Sequence, residues 1–214
     1  MLTKDYIMRM INTLSKVLAK LLLLKNSKNY NDALNEIEKV TKELFGLDRK
    51  FINSLSDSQL LKMISVSETL LAPNCYLLGV LFKEEAEIIN LQGDPGKSIE
   101  KFERSFSFFV EGLKSSNVLI EEDQFAKIDA VAEILENTSI SIETEINFVF
   151  YYEFTGKFDK AEDLIYDLID YDPKYIKAGI QFCERLLKKE DNELILGRLP
   201  REEIANSLLF LKNK

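Results

Sequence analysis

Apolar residues recur every three or four positions along most of the chain, the period of a helix that buries one face. Residues 3–25 carry Tyr6, Ile7, Met10, Ile11, Leu14, Leu18 and Leu21 on one broad stripe. Residues 30–45 repeat the pattern with Ala33, Leu34, Ile37, Val40 and Leu44. A short helix is predicted after Ser56, where Ser56 and Gln59 stand at capping-box spacing ahead of Leu60, Leu61 and Ile64. Further helices are predicted over 74–92, 96–112, 121–137, 142–155, 158–171, 174–190 and 201–212. The 96–112 segment sets Ile99, Phe102, Phe106 and Phe109 on one face, and 121–137 does the same with Phe125, Ile128, Ala132 and Leu135. Residues 148–154 are rich enough in aromatics to suggest a strand. No hairpin partner exists for them, and helical spacing continues on both sides, so the segment reads as helix.

Punctuation fits the same segments. Pro73, Pro95, Pro173 and Pro200 each fall where a helix could begin, a position that tolerates a missing N–H. Gly46, Gly93, Gly112, Gly156 and Gly197 fall near expected ends. The expectation is an all-α chain of about nine or ten helices in antiparallel pairs, forming a single domain over residues 1–214.

Residues 142–175 set Phe148, Val149 and Tyr152 on a first helix, then the turn Gly156-Lys157-Phe158-Asp159-Lys160-Ala161, then Ile165 and Leu168, and close on Asp172-Pro173. Residues 79–112 repeat this with Ala86 and Ile89, the turn Gly93-Asp94, and Ser98, Phe102 and Ser105. A weaker copy spans about 14–47, with Tyr30-Asn31-Asp32-Ala33 at the turn. A further first helix begins near Ile176, with Phe182, Cys183 and Leu186 at packing positions, within C-terminal helices over 174–212. These segments resemble the tetratricopeptide repeat (TPR), a helix–turn–helix of about 34 residues. The two glycine turns do not lie at twice that spacing, so the resemblance implies an irregular array interrupted by the helix near 121–137. Lys4-Asp5-Tyr6-Ile7, Arg9-Met10-Ile11, Lys42–Asp48 and Leu55-Ser56-Asp57 also look like an uncharacterised bacterial family of unknown function with TPR-like helices.

Composition narrows the function classes. The chain has 214 residues, 46% hydrophobic and 30% charged, an ordinary balance for a globular protein. It has no histidine, which excludes Ser-His-Asp and Cys-His nucleophilic sites and the usual histidine-bearing metal sites. The formal charge of −8 argues against a nucleic-acid partner. Residues 1–50 carry 10 basic and 6 acidic side chains, whereas residues 51–139 carry 7 and 15. The mildly basic first helix pair could meet an acidic partner, but is read as a solvated helix face. The two cysteines, far apart, suit a reducing compartment, and no segment has the length of a membrane span, so a cytoplasmic location is expected.

Two acidic clusters, Glu84-Glu85-Glu87 and Glu121-Glu122-Asp123, invite a metal or acid–base reading, but neighbouring helical residues point apart and cannot converge on one ion, so each reads as a solvated helix face or a helix N-terminal turn. Gly93-Asp94-Pro95-Gly96-Lys97-Ser98 lacks the upstream glycine of a phosphate loop and reads as a helix–turn–helix corner. The TPR resemblance implies a concave groove lined by first helices. On this chain the groove candidates are Lys83, Glu87, Asn90, Glu143, Asn147, Phe150, Glu153, Phe154, Lys177 and Glu184. Too few of these are cationic for gripping a C-terminal carboxylate. Phe150 and Phe154 among glutamates suit a basic or amphipathic segment better, the alternative being that both rings are core. The expected function is a non-enzymatic peptide- or protein-binding scaffold without cofactor or metal, with homodimer formation a further expectation. The alternatives are a structural homo-oligomer, suggested by Leu208, Leu209, Phe210 and Leu211 at the chain end, or a histidine-free carboxylate enzyme.

Overall fold

The computed structural model describes residues 2–65, 67–115 and 122–214. Among the described residues every regular element is helical. The α-helices are α1 (Leu2–Asn26), α2 (Tyr30–Phe45), α3 (Arg49–Ser54), α4 (Asp57–Ile64), α5 (Glu68–Leu91), α6 (Pro95–Lys114), α7 (Glu122–Glu136), α8 (Ile142–Phe154), α9 (Phe158–Tyr171), α10 (Ile176–Leu186), α11 (Asp191–Leu196) and α12 (Arg201–Asn213). The chain divides into two compact units, Met1–Ile140 and Ser141–Lys214.

The sequence anticipated ten of these twelve helices. It passed over α3 and α11, which have six residues each, too few to show a period. Caps create them instead. The Asp48 carboxylate accepts from the Phe51 N–H at 2.8 Å, and Glu190 with Glu193 forms a capping box. Pro73 does not open a helix as expected. It lies inside α5, which starts at Glu68, so only one early backbone hydrogen bond is lost. The neighbouring Asn74 amide donates to the Ile64 carbonyl at 2.9 Å and ties that part of α5 to the end of α4. On α1 the buried stripe is Met10, Leu14, Val17 and Leu21; Leu18 stands at its edge, and the side chain of Tyr6 lies outside the described residues.

In the first unit the closest pair is α5 with α6. The turn between them places Gly93 at φ +88, open to glycine at no steric cost. Gly79 stands opposite Ser105, Ala86 opposite Ser98, and Cys75 opposite Gly112, so one register falls as the other rises and the helices run antiparallel. Small residues at these places let the backbones approach. The Ser105 hydroxyl donates to the Gly79 carbonyl at 2.7 Å, and Ser98 to Ala86 at 2.8 Å. A methyl group built on Gly79 would lie 2.5 Å from the Phe109 ring. Helices α1 and α2 also pack on α5, and α4 closes a cluster of Ile52, Leu60, Ile64, Cys75, Leu78, Phe82 and Phe108.

The second unit begins with the pair α8–α9, whose turn holds Gly156 at φ +73. Phe148 and Tyr152 on α8 and Ala161, Ile165 and Leu168 on α9 are buried. Helix α10 follows a 3₁₀ turn at Pro173–Tyr175 and carries Phe182, Cys183 and Leu186 into the core, as their spacing predicted. Helix α12 packs on α10. Leu211 is buried there, unlike its neighbours Leu209 and Phe210.

Gly79→Ala tests the close approach of α5 and α6. Overpacking against Phe109 should lower stability by about 1–3 kcal/mol, seen as a lower urea midpoint with the helical circular dichroism of the native state retained.

Candidate functional site

The chemistry of the first unit is set by α5. Much of it is buried on nearly every side, and Glu84, Glu85 and Glu87 there must find partners, because a buried charge without one is costly. Glu84 and Glu85 are 8% and 3% exposed, which overturns the expectation of a solvated acidic face. The basic N-terminal segment is not simply a solvated face either, since it supplies part of the counter-charge. Lys25, at the end of α1, reaches Glu84 Oε2 at 2.7 Å and Glu87 Oε2 at 2.6 Å. Lys83 pairs with Glu87 Oε1 and lies 3.6 Å from Glu84 Oε1. Two ammonium groups and two carboxylates thus form a closed, neutral cluster.

Glu85 points elsewhere. Arg49 Nη2 lies 2.7 Å from its Oε1 and Lys101 Nζ 3.3 Å. Lys101 also donates to Asn53 Oδ1, and Arg104 Nε meets Asp57 Oδ1 at 2.7 Å. Both cations lie over the Phe82 ring, at 5.3 and 4.6 Å from its centroid.

Burial and pairing oppose each other in these groups. Burial by itself would pull Lys25 down, but the bonds to Glu84 and Glu87 outweigh it and leave the ammonium raised. Burial would push Glu87 up, yet the bonds from Lys25 and Lys83 hold it below its usual range. Lys101 goes the other way: burial, helped by Arg104 and Arg49, lowers it despite Glu85.

Beside the Lys25 cluster an open cleft of about 620 Å³ lies between α1, α5, α6 and α7. Leu22, Leu91, Pro95, Ile99, Phe102 and Ile134 give it apolar walls, and Lys25, Asn26, Glu87, Asn90, Ser98 and Thr138 supply polar groups. Such apolar concavities with a few convergent polar groups are the usual form of a binding site. Of the residues expected in a groove, the structure brings Glu87 and Asn90 to this cleft, with Lys83 held against Glu87. The walls themselves were missed. Their signal was available in Leu22 and Leu91, leucines set off the buried stripes of their helices and more than half exposed.

The remaining expected residues lie in the second unit. Glu153 is taken by Arg185, which donates from Nε and Nη2 at 2.8 and 2.6 Å. Glu184 meets Lys212 at 3.0 Å. The rings of Phe150 and Phe154 stack with centroids 6.2 Å apart; Phe154 is 51% exposed and so is not a core ring, while Phe150 is half-buried. Glu143 and Lys177 are exposed, and Asn147 is half-buried. None of these lines the small cavity of about 180 Å³ between α8, α9 and α10, whose walls are Ile146, Val149, Ile165, Leu168, Tyr175, Ala178, Gln181 and Arg185.

Other candidate chemistry resolves structurally. Asp94 caps α6 by accepting from the Lys97 N–H at 3.1 Å, while Lys97 Nζ returns to Asp94 at 2.7 Å, so the Gly-Lys-Ser segment is a helix corner. Of the second acidic cluster, Glu122 and Asp123 open α7 and are exposed; Glu121 lies outside the described residues. Cys75 and Cys183 are buried free thiols, with burial the main cause pushing them up to about 12 and about 11. Among the described residues, no three Cys, Asp or Glu side chains gather where they could hold a metal ion, and no helix is long and apolar enough to cross a membrane.

The fold is thus that of an all-α protein assembled from packed helix pairs. The chain belongs to a family of unknown function (DUF6483), whose model matches residues 1–214. Neither the curated proteins nor the solved structures give a match.

Lys25→Met should leave Glu84 and Glu87 short of a partner and cost on the order of 3 kcal/mol at pH 7. Glu87 is held below its ordinary 4.5, so its stabilising part is complete above that value and fades as pH falls through the lowered one. Urea titrations should therefore show the gap between variant and wild type narrowing from pH 7 to pH 3.

Proposed function

We propose that this chain is a non-enzymatic, TPR-like scaffold that holds a segment of a partner protein in the cleft of its first unit. The cleft carries this reading: about 620 Å³ with Leu22, Leu91, Ile99, Phe102 and Ile134 in its walls is space for apolar side chains projecting from one helix face. The polar end supports it too. Lys25, Lys83, Glu84 and Glu87 neutralise one another, so the ligand need bring no net charge to that end. An amphipathic segment, with any basic residues outside the cleft, fits this pattern. The TPR-like features are the small-residue contacts of α5 with α6, the glycine turns at Gly93 and Gly156, and buried Ala161. The absence of histidine and the paired state of the α5 glutamates favour binding over catalysis. A reducing cytoplasmic setting goes with the two free thiols.

A second reading, self-association as the main role, draws on Tyr171, Ile195, Leu196 and Leu209, which are all more than 60% exposed. Sedimentation distinguishes it, since a monomer at tens of micromolar would exclude a stable homo-oligomer.

The cleft is tested by selecting displayed amphipathic helical peptides on the wild-type chain and measuring the winners against Ile99→Glu. Ile99 lies on the cleft wall and is only partly buried, so the fold should survive the change. The expected outcome is roughly tenfold or greater loss of affinity, with an unchanged circular dichroism spectrum. Peptides that bind both forms equally, or a selection without binders, would overturn the proposal.

A further inference from the structure

In the second unit α12 closes over α10 through Ile204 and Leu211, both buried. The contact is close because α10 offers Gly179 at that point. A methyl group there would lie 2.9 Å from Leu211 Cδ1 and 3.0 Å from Ile165 Cγ2. One side chain in this assembly does not fit an inert helix cap. Glu162, on α9, is 92% buried by its 8% exposure, and its oxygen accepts the Ser207 hydroxyl of α12 at 2.6 Å. Among the described residues no lysine or arginine pairs with it, in contrast to every buried glutamate of α5.

The titratable groups that face Glu162 make the absence of a cation more consequential. Helix α12 presents Glu203, α9 presents Asp163 and Tyr166, and α10 presents Cys183. All are acidic or neutral. Burial pushes the Glu162 carboxyl up, the Ser207 bond pulls against it, and Glu203 and Asp163 push it further up. The ionised carboxylate is thus disfavoured at the place where α12 is seated, and Glu203 brings part of that cost on the seated helix itself.

We propose that α12 is a pH-sensitive strap, seated over the α9–α10 face while Glu162 carries its proton and loosened when that proton leaves. The seated helix holds the proton more tightly than the released one. Seating is therefore strongest below the ordinary carboxylate value of 4.5 and weakens as pH rises through the raised value of the seated state. Release uncovers Gly179 of α10, on which Leu211 rests, and the Glu162 carboxyl of α9 that Ser207 covers. This inference concerns the second unit alone and stands or falls separately from the cleft of the first.

Amide hydrogen exchange on the full chain at pH 5 and pH 8, corrected for intrinsic rates, reads the strap directly. Protection of residues 204–213 in the wild type should fall by roughly threefold or more on going to pH 8, while α5 stays constant. Glu162→Gln keeps an acceptor for Ser207 but cannot ionise, and its α12 should stay protected at both pH values. A wild-type α12 with equal protection at both, or a Glu162→Gln variant with the same fall as wild type, overturns the proposal. Should that variant fail to fold, Glu203→Gln replaces it: a smaller fall supports the strap, and an unchanged fall overturns it.

Discussion

A helix with hardly any solvent face cannot carry charge unless its neighbours answer it, and the buried stretch of α5 carries Glu84, Glu85 and Glu87. Three of its neighbours in the first unit answer that constraint. Lys25 comes from the end of α1, Arg49 from the start of α3, and Lys101 from α6. Each cation is fixed by a carboxylate in a place of low dielectric, where the interaction has direction and the wrong register leaves a charge exposed to hydrocarbon. The apolar contacts of Leu77, Leu78, Val80 and Leu81 supply the driving force for burying α5. The ion pairs decide which helix lies where around it.

Helices of three or more turns were legible in the sequence because their apolar stripes run through several periods, as in 30–45 and 158–171. Their corners were legible too, because a left-handed turn leaves glycine at Gly46, Gly93 and Gly156. The same signal fails where another residue takes that conformation: Lys28 turns the chain after α1 at φ 58 without a glycine to mark it. Pro73 misled because a proline rule concerns the local backbone, whereas α5 is held on both sides of it by tertiary contacts. The site was legible only in part. Glu87 and Asn90 were found by counting along a first helix, but the cleft walls come from four different helices. No local pattern tells which off-stripe leucines, Leu22 or Leu91 among them, will converge.

The charge reading failed for a related reason. Counting residues 1–50 as basic and 51–139 as acidic was correct, but pattern alone cannot say whether a charged side chain meets water or its opposite. Glu84 and Glu87, one turn apart on α5, share Lys25 of α1, whereas Glu85 leaves in another direction and meets Arg49 of α3 and Lys101 of α6. Two cations of the first segment, Lys25 and Arg49, are thus addressed to glutamates of the second inside the first unit. For Glu162 in the second unit, no cation among the described residues plays that part.

The Lys25 cluster also constrains how this family can drift. Four charges on two helices balance within one part-buried patch, so a single replacement that removes one leaves a remainder without its partner. Replacement by a neutral pair, or a swap of sign across α1 and α5 together, keeps the balance. Lineages that lose the lysine at position 25 should have lost a carboxylate at 84 or 87 in step, and the join between the two helices would be inherited as a unit.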